Sequence, residues 1–87
     1  MSAHKLRRLW IVDDSHLDAE RARAAMANDF DVEVFHDGAQ AIERLSHECP
    51  DVIVLDWLMP AVSGFDVLRF IRATRELQWV GVLVLTA

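Results

Sequence analysis

The fold of this chain is decided by three short stretches: Trp10-Ile11-Val12-Asp13-Asp14, Val52-Ile53-Val54-Leu55-Asp56 and Val82-Leu83-Val84-Leu85-Thr86. Each is an apolar run of β-strand length that ends in an acidic or hydroxyl side chain. Unbroken apolar runs are typical of strands buried on both faces of a parallel sheet. The carboxyl ends of neighbouring parallel strands lie at one edge of the sheet, where ligands bind. We therefore expect an acid pair, a single acid and a hydroxyl to meet at one point.

The charges of the three acids indicate what chemistry to expect at this edge of the sheet. The carboxylates of Asp13, Asp14 and Asp56 would repel one another strongly unless a cation lay between them. A small set of hard oxygen ligands suits Mg²⁺, which keeps several of its waters. The sequence therefore predicts a Mg²⁺ site and phosphoryl transfer at a metal-bound carboxylate.

Helical patterns alternate with the strands. A capping-box pattern at Ser15 to Asp18 opens the first helix, Asp37 is the expected N-cap of the second, and Ser63 opens the third. A half-exposed edge strand is expected between the first two helices. The fold class is α/β: a doubly wound parallel sheet with helices on both faces, in the order β-α-β-α-β-α-β. The predicted ranges are strands at 9–12, 31–35, 51–55 and 80–86, and helices at 15–27, from 37, and 63–76.

Composition narrows the function classes. With 87 residues, 53% of them hydrophobic, the chain is expected to form one domain with a substantial core. A net charge of −5 and a pI near 5.1 argue against a nucleic-acid surface. No apolar run is long enough to span a membrane, and the first nine residues have no signal-peptide pattern. The single cysteine, Cys49, fits a reducing compartment, so a cytoplasmic location is expected.

Other interpretations of these motifs stand beside this one. Asp13 and Asp14 alone would also suit the cap of a helix, and Thr86 alone would suit an ordinary strand-end hydroxyl. Asp56 after an apolar strand resembles a Walker B acid, but the chain has three glycines and no phosphate-binding loop with Lys-Ser/Thr. A phosphatase with an Asp-x-Asp nucleophile is disfavoured, because neither acid motif has its second Asp two positions on.

The ordered set of motifs resembles the receiver domain of two-component response regulators. The resemblance rests on Ile11-Val-Asp-Asp-Ser15, on Val54-Leu-Asp-Trp-Leu-Met-Pro60 with Ser63-Gly64 and the helix from Phe65, and on Leu83-Val-Leu-Thr-Ala87. It covers essentially the whole chain. It implies the flavodoxin-like form of the doubly wound sheet, with the strand order 2-1-3-4-5.

The resemblance also implies a role for each matching residue. Asp56 matches the phosphoacceptor, while Asp13 and Asp14 match the acidic pair that holds Mg²⁺ together with Asp56 and the backbone carbonyl of Leu58. Thr86 matches the switch hydroxyl, and Ala87 matches the small residue whose backbone N–H binds the phosphoryl group. The implied partner is a histidine kinase or phosphotransfer protein, and the domain is a signalling module rather than an enzyme.

Relative to the family, residues 1–87 have no counterpart of the last helix, strand and helix, nor of the lysine that pairs with the phosphoryl group. We therefore expect a C-terminally truncated receiver domain. Its fourth strand would be an open edge and one sheet face would be uncovered, which favours self-association. The alternative function is a truncated receiver that is not phosphorylated and acts only as an interaction or self-association module.

Overall fold

The sheet is parallel throughout and has the strand order β2-β1-β3-β4. A computed structural model describes residues 6–85. The predicted fold class and strand order are confirmed, and β2 is an edge strand as its half-exposed pattern indicates. The elements are β1 Arg7–Val12, α1 His16–Met26, β2 Phe30–Phe35, α2 Gly38–Leu45, β3 Val52–Asp56, α3 Gly64–Ala73, a 3₁₀ turn Arg75–Leu77, and β4 Gly81–Leu85.

Helices cover the two faces of the sheet because side chains alternate along each strand. On β1, Trp10 and Val12 lie in the cluster packed by α2 and α3, whereas Leu9 and Ile11 lie in the cluster packed by α1. Both faces of β1 and β3 are thereby buried. This explains why their sequences are apolar without alternation.

The predicted N-caps Ser15, Asp37 and Ser63 are confirmed, but the capping box predicted at Ser15 to Asp18 is not reciprocal, because the N–H of Ser15 donates to the Asp13 carboxylate. The Ser15 hydroxyl accepts the backbone N–H of Asp18, and the Asp37 carboxylate accepts that of Ala39. At α3 the cap is reciprocal, since the Ser63 hydroxyl accepts the N–H of Asp66 while the Asp66 carboxylate accepts the N–H of Ser63. Capping of this kind satisfies N–H groups that have no partner within the helix.

Most predicted boundaries lie within two residues of the observed ones, and two of the differences have an identifiable cause. Helix α3 ends at Ala73 rather than Glu76, because Thr74 takes an extended backbone conformation and a 3₁₀ turn follows. That turn buries Leu77 in the core and directs the chain into β4. Strand β3 begins one residue later than predicted, since Asp51 precedes it and its carboxylate accepts the N–H of Arg8.

Strand β4 forms the other edge of the sheet in the described part of the chain. Val82 packs against the cluster under α2 and α3. Leu83 and Leu85 point to the opposite face and are 52% and 42% exposed. Within residues 6–85, none of the helices combines the length and apolar character needed to cross a membrane.

Candidate metal and phosphoacceptor site

The acidic turn after β1 is held in place by β2. The backbone N–H of Asp13 donates to the carbonyl of Phe35 at 2.9 Å, which extends the β1–β2 ladder by one residue. The Asp13 side chain is buried, and its Oδ1 accepts the N–H of Ser15 at 2.9 Å. Asp14, next along the turn, is exposed. One carboxylate is therefore fixed by the backbone and its neighbour is open to solvent.

Asp56 comes to the same edge because β3 pairs with β1. It is the last residue of β3, and the following N–H, that of Trp57, donates to the Leu85 carbonyl of β4 at 3.2 Å. Carboxylate oxygens of Asp13, Asp14 and Asp56 all lie within 4.8 Å of one another. The predicted convergence of the three acids is what the structure shows.

A tight loop links Asp56 to α3. Ala61 has a φ of 62°, and the N–H of Val62 donates to the Pro60 carbonyl at 2.8 Å, which is the pattern of a strained γ-turn. The loop closes where the N–H of Gly64 donates to the Trp57 carbonyl at 3.2 Å. A Cβ on Gly64 would lie 2.5 Å from the Asp56 carbonyl oxygen, so the close approach requires glycine.

The electrostatics of the site raise the pKa of Asp56 from 3.8 to about 6. Burial is the main cause, followed by the charge of Asp13 and the proximity of Asp14. The backbone of Leu58 acts in the opposite direction and lowers the pKa of Asp56. The site thus disfavours three negative charges together in the absence of a cation.

This pKa predicts how stability depends on pH in the metal-free protein. A carboxyl group whose pKa is raised on folding stabilises the folded state fully when the pH is below its pKa in the unfolded state. That stabilisation is lost as the pH rises through its pKa in the folded state. As the pH rises from about 4 to about 6, the ionisation of Asp56 should therefore lower the free energy of unfolding by about 1 kcal/mol, after allowance for solvent screening.

The measurement is urea unfolding across this range with EDTA present. Because other acids also titrate, the relevant quantity is the difference between the wild type and Asp56→Asn. The variant should gain stability relative to the wild type as pH rises from about 4 to 6. A difference that does not change with pH would contradict the prediction.

The donor set fits a hard divalent cation. Three carboxylates within 4.8 Å of one another supply oxygen ligands and an excess of negative charge. The raised pKa of Asp56 reflects in part the repulsion among these charges, which a bound cation would offset. The described residues thus contain a carboxylate cluster able to hold a metal ion.

The remaining predicted site residues have different outcomes. Leu58 lies in the loop two residues after Asp56, its side chain is exposed, and its backbone lowers the pKa of Asp56. Thr86 and Ala87 lie outside the described residues. Trp57 flanks the site and packs edge-on against Phe65, with ring centroids 5.6 Å apart.

Sequence reasoning missed one part of this region. The four histidines share no metal-ligand spacing, so surface positions are the default expectation for them, with the alternative that His16, close after the acid pair, modulates the site. His16 is exposed as expected, whereas His36 is half-buried, and their rings stack with centroids 3.7 Å apart beside the acidic turn. The available signal was the position of His36 directly after a strand that neighbours β1.

The fold and the acidic site define a receiver domain. The family model described as "Response regulator receiver domain" matches residues 9–87, and the chain belongs to this family. The protein is therefore a receiver domain of two-component signal transduction.

Individual relatives agree with this assignment. Response regulator MprA of Mycobacterium ulcerans is 38% identical over 81 residues, which cover 92% of this chain and 34% of that protein. MprA of Mycobacterium tuberculosis strain H37Rv is 37% identical with the same coverage. The chain thus spans about a third of the length of the curated relatives it matches.

Solved structures show the same fold. The receiver domain of the Francisella response regulator 1452 superposes with a TM-score of 0.83 at 27% identity, covering 93% of this chain and 66% of that one. The N-terminal domain of a response regulator receiver protein from Methanoculleus marisnigri gives a TM-score of 0.86 at 25% identity, covering 95% and 68%.

Proposed function

We propose that this chain accepts a phosphoryl group on Asp56, and that Asp13, Asp14, Asp56 and the Leu58 carbonyl bind Mg²⁺ for this reaction. The observation that carries the proposal is the convergence of the three carboxylates within 4.8 Å at the ends of adjacent strands. We treat residues 1–87 as one receiver unit. The comparisons support this function and do not favour the alternative of an interaction module that is never phosphorylated.

The reaction is a displacement at phosphorus. A carboxylate oxygen of Asp56 forms a bond to phosphorus as the donor's bond to phosphorus breaks, and the electron pair of that bond leaves with the donor. Bound Mg²⁺ would neutralise the charge that accumulates on the phosphoryl oxygens. The chain itself contributes position, since β3 and the loop through Gly64 hold Asp56 opposite the acidic turn.

The two last residues complete the proposal. We assign to Thr86 the hydroxyl that donates a hydrogen bond to the oxygens of the new phosphoryl group, and to Ala87 a backbone N–H that also donates to them. A phosphorylated aspartate adds charge and acceptor oxygens that such donors capture. Capture of this kind biases a segment with two states, which is how a local modification becomes a signal.

Intact-mass spectrometry tests the function. After incubation with Mg²⁺ and acetyl phosphate, the wild type should gain one phosphoryl group. Asp56→Asn should gain none, because the amide is not a nucleophile. Asp29→Asn, which removes an exposed acid from the turn after α1, is the matched control and should react like the wild type. A phosphoryl group on Asp56→Asn, or none on the wild type, would contradict the proposal.

The proposed partner is a histidine kinase or phosphotransfer protein that supplies the phosphoryl group from a histidine. The net charge of −5 supports a protein partner rather than nucleic acid. We propose a signalling role without substrate turnover of its own. A cytoplasmic location is supported by the single, exposed Cys49, which would stay reduced there.

We also propose that the 87-residue chain self-associates through β4. Leu83 and Leu85 are exposed on an edge strand, a combination that invites pairing with another strand. Light scattering at increasing concentration should show an average mass above that of the monomer. Leu83→Lys should shift it back towards the monomer, because a charged edge opposes pairing, whereas Leu17→Lys on α1 should not. A wild type that stays monomeric throughout would contradict this proposal.

A further inference from the structure

His36 connects the end of β2 to the acidic turn. It directly follows the last residue of β2, its side chain is half-buried, and its Nδ1 lies 3.0 Å from the backbone carbonyl oxygen of Asp13. A carbonyl oxygen can only accept a hydrogen bond, so Nδ1 is the nitrogen that carries the hydrogen. His36 is therefore a donor to the residue that begins the carboxylate pair.

A second contact fixes the orientation of this donor. The ring of His16, the first residue of α1, stacks on the ring of His36 at 3.7 Å between centroids, with an angle of 16° between the planes. Stacking restricts rotation of the His36 ring and so holds Nδ1 towards Asp13. The two histidines tie the end of β2 to both ends of the acidic turn.

Together these contacts hold both backbone polar groups of Asp13. Its N–H donates to the Phe35 carbonyl and its carbonyl accepts from His36, so the last residue of β2 and the residue after it hold one residue of the turn. Its carboxylate is in turn held by the N–H of Ser15. The spacing of Asp13 and Asp14 from Asp56 therefore depends on β2 as well as on β1 and β3.

We propose that His36 is a positioning residue for cation binding: its Nδ1–H holds the Asp13 carbonyl, and thereby keeps the Asp13–Asp14 turn at the distance from Asp56 that a shared cation needs. This inference rests on the Mg²⁺ site proposed above. Hydrogen bonds that orient metal ligands from behind affect affinity strongly, by about 10- to 100-fold where the ligand itself is oriented. His36 holds the backbone carbonyl of Asp13 and not its carboxylate, so we expect a smaller effect on the Mg²⁺ dissociation constant, of about five- to tenfold.

Two substitutions separate the hydrogen bond from the stacking. His36→Phe keeps an aromatic ring against His16 but has no donor. His36→Asn keeps an N–H donor close to the position of Nδ1 but has no ring. His47→Phe is the matched control, because His47 is an exposed histidine beyond the end of α2.

The experiment measures the Mg²⁺ dissociation constant of each protein by isothermal titration calorimetry, with urea unfolding without Mg²⁺ to verify folding. His36→Phe should raise the dissociation constant about five- to tenfold, whereas His36→Asn and His47→Phe should stay within about twofold of the wild type. Phosphorylation of His36→Phe by acetyl phosphate should be slow at low Mg²⁺ and approach the wild-type rate at saturating Mg²⁺. A residue with a merely structural role would not give this recovery.

The outcomes distinguish this inference from the function on which it rests. A wild-type dissociation constant in His36→Phe would overturn the positioning role and leave the Mg²⁺ site intact. Equal weakening in His36→Phe and His36→Asn would also overturn it, because the donor would then not be what matters. Absence of Mg²⁺ binding by the wild type would overturn the metal site, and the role of His36 with it.

Discussion

Replacing Gly64 with alanine should destabilise the protein by about 3 kcal/mol, the upper end of what overpacking costs. The new Cβ would lie 2.5 Å from the Asp56 carbonyl oxygen and 2.9 Å from the Cα of Trp57. Both atoms belong to the backbone, so no change of side-chain rotamer can relieve the contact. Either the start of α3 or the end of β3 must move.

The same movement should weaken the site, because the backbone that must yield is that of Asp56. Urea unfolding measures the stability, and Mg²⁺ titration of the folded fraction measures the site. Gly81→Ala is the matched control, since a Cβ there would meet its nearest atoms at an ordinary 3.7 Å. Gly81→Ala should stay within about 1 kcal/mol of the wild type. Equal losses in the two variants would show that the close approach at Gly64 has no special cost.

Replacing Asp14 with asparagine should weaken Mg²⁺ binding by about 30-fold. Two unit charges 4 Å apart interact by about 1 kcal/mol even with the full screening of water, and a divalent cation doubles this to about 2 kcal/mol. Asp14 is the exposed member of the cluster, so the water-like value is the appropriate one. Asparagine keeps the size of the side chain and removes only its charge.

Calorimetric titration with Mg²⁺ checks this prediction, with Asp18→Asn as the control. Asp18 is an exposed acid in the first turn of α1, four residues beyond Asp14 and outside the cluster. Its replacement changes the net charge by the same amount and should alter the affinity less than about threefold. If the two variants lost affinity equally, the acids would act through the overall field of the protein and not as ligands.

Much of the fold could be predicted because its signals are local. The apolar runs of β1, β3 and β4, the caps at Ser15, Asp37 and Ser63, and the alternation of strand and helix each depend on a few neighbouring residues. Right-handed crossovers then leave few topologies to choose between. The order β2-β1-β3-β4 follows from the resemblance to receivers and is confirmed.

The end of α3 could not be predicted in the same way. Residues 74–76 have no proline or glycine to stop a helix, and a continuous pattern to Glu76 is reasonable from propensity alone. The helix stops at Ala73 because Leu77 and Val80 must both reach the core before β4 begins. Tertiary packing overrides local preference here.

Some features of the candidate site could likewise be predicted from local sequence signals, and others could not. That the acids Asp13, Asp14 and Asp56 share one edge follows from their places at strand ends, and their distances agree. The pKa of Asp56, near 6, depends on burial and on the two other acids, which are far away in sequence. The contact of His36 with the Asp13 carbonyl, 23 residues apart, has the same origin.

Local sequence signals are enough to predict which segments form strands, which side chains end them, and hence that three carboxylates meet beside a loop leading to α3. These properties come from the two-residue alternation of strands and from capping, both of which act over a few residues. Three further properties arise from tertiary packing: the close approach of Gly64 to Asp56, the size of the rise in the pKa of Asp56, and the contact of His36 with the acidic turn. These depend on distances between segments remote in the chain, which close packing sets to within a few tenths of an ångström.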